Sequence, residues 1–187
     1  MSPSELFLKI ASPPVVLAAA FVFVVASALF VMFNPTRAIE ARFKDALNGD
    51  IFFRTNLSAY LPHKLYAMLD AYTEADYRDH YKFLYLDFVY ALIYAVVLGL
   101  AIVALQNQFR PPNATINSYP VLIPFGAALA NYLEDTCLYL ILRRYETGRR
   151  QARALAVFAA SMTVVKNLLF IASLLMIVAG LLKLTLE

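Results

Sequence analysis

Four ionisable side chains stand inside apolar sequence: Asp87, then the adjacent pair Glu134 and Asp135, then Lys166. A charge in hydrocarbon costs roughly 2.5 to 3.5 kcal/mol or more unless it is paired or wetted, so these residues are the first place to look for chemistry. Each has polar companions at helical spacing. Asp87, Tyr90 and Tyr94 recur at i, i+3, i+7; Asn131, Glu134 and Asp135 at i, i+3, i+4; Thr163, Lys166 and Asn167 at the same interval. Such spacing places each set on one helix face. Lipid offers these polar atoms nothing, so all three stripes are expected to point inward. Three carboxyls around one ammonium cannot all stay ionised in a low dielectric, which admits a proton- or ion-handling site or a polar ligand pocket. The alternative is a salt bridge and hydrogen-bond cluster that sets helix register and nothing more. Acid and base catalysis by Glu134 and Asp135 is disfavoured, because neighbours in a helix project about 100° apart. No catalytic residue is assigned.

The elements that must position these groups are four apolar runs, about 14–33, 83–105, 121–142 and 154–182. Each reaches the ~20 residues needed to cross a bilayer core as a helix. With 187 residues and 61% hydrophobic content, and a mean hydropathy of +0.65, most of the chain is committed to the membrane. The expected architecture is all-α: a single polytopic domain over 1–187, built as a four-helix transmembrane bundle with one or two amphipathic interfacial helices in the first loop, 34–82. The opening run reads as a retained helix, since its apolar core exceeds the 7 to 15 residues of a signal peptide.

Within the first loop, Asn34-Pro35 can open a helix in which Ile39, Phe43 and Leu47 share a face. A second follows Pro62, with Leu65, Met68 and Leu69 on one face and Tyr60, Tyr66 and Tyr72 as interfacial anchors. Either segment lies on the membrane surface or packs on the end of the bundle. Thr73-Glu74-Ala75-Asp76 is a capping box with Asp in its fourth place, and the helix it opens runs on from Tyr77 into the second span. Pro111, Pro112 and Pro120 punctuate the second loop.

Depth follows from a rise of about 1.5 Å per residue. Asp87 lies roughly 6 Å inside the loop-one end of its span, Glu134 about 12 Å from the loop-three end of its own, and Lys166 roughly 18 Å from the start of the last. These depths are measured from one face, so the polar groups can converge, and Glu134 is the preferred partner of Lys166.

The net charge of +3 does not imply a nucleic-acid partner. Five arginines, Arg143, Arg144, Arg149, Arg150 and Arg153, crowd the third loop against one glutamate, whereas seven acids match seven bases in the first. The positive-inside bias then puts 34–82 and 143–153 on the cytoplasmic face, or the matrix or stromal face of an organelle. The same arginines could touch anionic headgroups at ~1 kcal/mol each. The lone Cys137 gives no disulfide or zinc pattern, and His63 and His80, 17 residues apart in the first loop, read as solvated or interfacial. No metal or cofactor is assigned, and there is no phosphate loop, HExxH or GxSxG.

From Tyr60 to about Leu182, the segments HKLYAMLDAYTEADYRDHYKFLYLDFVYALIY, LANYLEDTCLYLIL and TVVKNLL resemble a family of four-span integral membrane proteins, mostly bacterial, to which no activity is attached. The resemblance implies Asp87, Tyr94, Glu134 and Lys166 as matching polar positions. The chain departs from that pattern at Val89-Tyr90, where the family has Pro before the aromatic, and at Asp135, where it has Asn.

Three functions are compatible with these residues. The leading one is a structural or assembly role in the membrane, as an accessory subunit whose partners are the bilayer and other membrane subunits. The second is a small proton-coupled transporter or ligand carrier using Asp87, Glu134, Asp135 and Lys166. The third is a membrane enzyme acting on a lipid-like substrate.

Overall fold

The computed structural model describes residues 13–36, 39, 62–109, 119–148 and 152–186. Among them the secondary structure is helical throughout, in five helices: α1 (Pro13–Met32), α2 (Pro62–Asp70), α3 (Glu74–Gln108), α4 (Tyr119–Glu146) and α5 (Arg153–Leu186). Two of them, α3 and α5, are long and apolar enough to cross a membrane, and α1 contributes the apolar stretch Ala18–Phe30.

At 35 residues α3 is about 52 Å long, well beyond the ~30 Å hydrocarbon core of a bilayer. Its start is set by Thr73. The Thr73 Oγ1 accepts from Asp76 N, while the Asp76 carboxylate takes the Thr73 backbone N–H at 2.7 Å. Two of the orphan donors that every helix start exposes are thereby satisfied. Asp is shorter than the usual Glu, and the box closes all the same. Helix α4 starts at Tyr119, two residues ahead of the expected span, because Pro120 falls in the first turn, where a missing N–H costs nothing.

Helix α4 makes the two most extensive helix–helix contacts among the described residues. It packs most extensively on α5 and then on α3, while α1 lies on α3 and α2 touches α5. Small residues make this possible: Ala127, Ala128 and Ala130 are buried on α4. A side chain at Gly126 would meet Leu169 of α5, and one at Gly99 would meet Phe125 at 3.1 Å. The outward faces of α1 and α5 are apolar instead, with Phe21, Val24, Leu168, Leu175 and Leu182 exposed.

At the loop-three end, Leu65, Met68 and Leu69 of α2 are buried with Ile39 against Leu138, Ile141 and Leu142 of α4. This segment therefore packs on the bundle as a lid. The rest of the expected helix after Asn34, including Phe43 and Leu47, lies outside the described residues, as does Tyr60. Asn34 does form the expected turn, its Oδ1 accepting from Thr36 N at 2.9 Å and from Thr36 Oγ1 at 2.7 Å.

The lid changes the reading of its polar residues. His80 is 0% exposed, its Nδ1 lying 3.1 Å from the Tyr72 hydroxyl, with its ring against Phe83; it is neither solvated nor interfacial. Tyr66 stacks on Tyr145 of α4 at 5.5 Å. These tyrosines tie the lid to the bundle, which burial of the apolar face of α2 demands.

Candidate functional site

The polar groups of α3, α4 and α5 converge where α4 passes between its two neighbours. Glu134 is 5% exposed and both carboxylate oxygens are engaged by α5. Thr163 Oγ1 donates to Oε1 at 2.8 Å, and the Lys166 ammonium lies 2.5 Å from Oε2. Thr163 and Lys166 are three residues apart, close to one turn, so a single face of α5 presents both to one carboxylate. The Thr163 hydroxyl also sits 3.1 Å from the Ala159 carbonyl of the preceding turn. A charge-assisted pair with a further hydroxyl donor is the arrangement in which burying two ions is tolerable.

Asp135 is 1% exposed. Its Oδ2 accepts from Asn131 Nδ2 at 2.9 Å, one turn back on α4. Asp87 of α3 is half-buried and lies within electrostatic reach of Lys166 and of the same Asn131. Adjacent residues on a helix diverge, yet both Glu134 and Asp135 are buried, because α4 has neighbours on two sides: Glu134 turns to α5 while Asp135 remains with Asn131 and Asp87.

The two tyrosines of α3 meet edge-on, ring centroids 5.8 Å apart, yet their hydroxyls have different surroundings. Tyr94 is 4% exposed and faces Asp87, Asp135 and Glu134. Its ring packs edge-on against Phe170 at 5.3 Å, and its buried hydroxyl has no hydrogen-bond partner. Tyr90 turns its hydroxyl to α1. Its hydroxyl lies 3.1 Å from Ser27 Oγ of α1, and its ring stacks on Phe30 at 4.9 Å and Phe23 at 6.1 Å. Tyr90 and Tyr94 are four residues apart, which leaves about 40° between their side chains, enough for Tyr90 to reach α1 while Tyr94 faces α4. Asn167 follows Lys166 on α5 and is partly buried.

Sequence reasoning did not find the Ser27 contact, nor the Tyr72 and His80 pair. Ser27 carries a signal only in retrospect, as a hydroxyl in an otherwise apolar run.

Arg143 and Arg144 end α4, where cations suit the helix dipole. Both are exposed, as is Arg153 at the start of α5, and Arg143 lies 3.4 Å from Glu146. Arg149 and Arg150 lie outside the described residues. Tyr81 of α3 donates to Glu146 at 3.1 Å, which brings the start of α3 and the end of α4 to the same side. No family profile, curated protein or solved structure matches the chain.

Proposed function

We propose that the chain is a four-span integral membrane protein, related to the four-span family it resembles, and that its role is structural: an accessory or assembly subunit of a membrane complex. The spans are α1, α3, α4 and α5. Helix α2 is a lid on the face that also carries the loop-three arginines, which is the cytoplasmic face or its organellar equivalent. The bilayer covers the apolar outward sides of α1 and α5, and the exposed arginines contact anionic headgroups.

The observation that carries this reading is the use made of Glu134. Both of its oxygens bind α5, so the buried carboxylate that is paired to an ammonium among the described residues is spent on holding two helices in register. Alkaline carbonate extraction should leave the protein in the membrane fraction, and purification in mild detergent should yield an assembly of fixed stoichiometry larger than one chain. Release by carbonate would sink the membrane reading; a lone chain in every mild detergent would sink the subunit reading.

A second reading, a proton-coupled carrier, has one observation in its favour. Asp87 and Asp135 exceed what Lys166 can neutralise once Glu134 is paired. Proteoliposomes holding a pH-sensitive dye should then collapse an imposed pH gradient faster than empty liposomes, and Asp135→Asn should abolish the difference. Equal rates would exclude it.

A further inference from the structure

We propose that the Asp87, Asn131 and Asp135 half of the cluster is a proton-binding site, in which the two aspartyl carboxyls share one exchangeable proton across the Asn131 amide with the Tyr94 hydroxyl as its further partner. The inference rests on the four-span reading for its surroundings, and is independent of the assembly role.

Glu134 and Lys166 neutralise each other, and Thr163 completes that pair. Buried Asp135, which accepts from the Asn131 amide, and half-buried Asp87, within electrostatic reach of that amide, are then two negative charges with no cation left among the described residues to pair them. Leaving a buried charge uncompensated is among the costliest arrangements in a protein interior. One proton between the two removes half of that charge and turns one acceptor into a donor.

Tyr94 points to the same conclusion independently. Its hydroxyl is buried, unpartnered and faced by Asp87, Asp135 and Glu134. A buried O–H without a partner is expensive. A hydroxyl can donate to a carboxylate or accept from a carboxylic acid, so this group serves both protonation states of the site. A metal cation suits the donor set less well, since the Asn131 amino group already occupies lone pairs of Asp135 and the Lys166 ammonium repels a cation. The groups facing the site are Asp87 and Tyr94 from α3, Asn131, Tyr132 and Glu134 beside Asp135 on α4, and Thr163 and Lys166 from α5. Helix α1 meets α3 through Tyr90, whose hydroxyl bonds Ser27.

The test uses the full chain in lipid nanodiscs at neutral pH and the hydrophobic probe dicyclohexylcarbodiimide. A carboxylic acid adds its O–H across a C=N bond of this reagent, and the O-acylisourea rearranges to a stable N-acylurea that peptide mass spectrometry locates. The expected result is one adduct per chain, on Asp87 or Asp135 and absent from Glu134, lost as the pH is raised. Infrared spectra should contain a protonated-carboxyl stretch that shifts in D2O. Asp87→Asn and Asp135→Asn should each abolish adduct and band, since either leaves a single aspartate, the same one negative charge that the shared proton leaves in the unaltered site. The double variant Lys166→Met with Glu134→Gln should keep both signals, which separates proton binding from loss of fold. An adduct on Glu134 alone, or neither adduct nor band at neutral pH in protein that resists carbonate extraction, overturns the proposal. Equal reaction with a water-soluble carbodiimide would instead defeat the four-span reading while leaving the shared proton standing.

Discussion

Lys166 has one direct carboxylate partner among the described residues, Glu134, and two more distant carboxyls in Asp87 and Asp135. Deleting one member of a buried pair usually costs about 3 to 5 kcal/mol because the other charge is left uncompensated, whereas removing both can be nearly neutral. Lys166→Met should therefore destabilise the protein by about that much, and Glu134→Gln in the same chain should restore most of the loss. Asp87→Asn or Asp135→Asn should restore less. Thermal unfolding in detergent decides the matter, and strict additivity of the Lys166 and Glu134 losses would disprove the pairing. Thr163→Val should cost about 1 to 3 kcal/mol, because Glu134 Oε1 loses its donor while the carboxylate stays buried. These partners were legible at the level of residue type and depth, since a fixed rise per residue ranks Glu134 nearest to Lys166. The contact of Tyr90 with Ser27 was not, because the roughly 40° between Tyr90 and Tyr94 matters only once the neighbouring helix is known.

Helix α3 depends on its cap, and α5 on a close approach. Thr73→Ala should cost ~1 kcal/mol by leaving the first-turn donors unpaired, visible as faster amide exchange over 74–80 with the far end of α3 unaffected. Gly180 of α5 sits so close to α3 that a Cβ there would lie 2.9 Å from Leu105 Cδ1 and 3.3 Å from its Cβ. Gly180→Val should force the two helices apart at this end, at a cost of about 1 to 3 kcal/mol, whereas the exposed Leu182→Val should be near neutral. Equal melting temperatures for the two variants would show that the helices do not meet as described. The cap could be read from four residues in a row. The Gly180 contact could not, because it pairs residues 75 positions apart in sequence.

For the whole molecule, sidedness is the measurable property. Tyr81 reaching Glu146, and Tyr66 stacked on Tyr145, place α2, the start of α3 and the end of α4 together, so whichever face holds the arginines also holds the lid. Gly148, in the turn after α4 with φ +71°, is exposed and a site for accessibility labelling. Gly148→Cys should react with impermeant maleimide only from the compartment of synthesis, because arginines resist translocation. Labelling from the opposite side would invert the topology and move the lid with it.

The all-helical character, the start of α3 and the polar residues worth examining follow from the sequence by itself, because each depends on local rules: apolar runs of membrane length, a capping box, and polar atoms that lipid cannot satisfy. Only the tertiary structure could decide what depends on distant parts of the chain. Packing of α2 over α3 made His80 a core residue instead of a solvated one. The contacts of α4 with both α5 and α3 let two diverging neighbours, Glu134 and Asp135, both be buried. The cluster thereby divides into Glu134 with Lys166 of α5 and Asp135 with Asn131 of its own helix, a distinction that residue spacing cannot contain because it arises from which helix stands on which side.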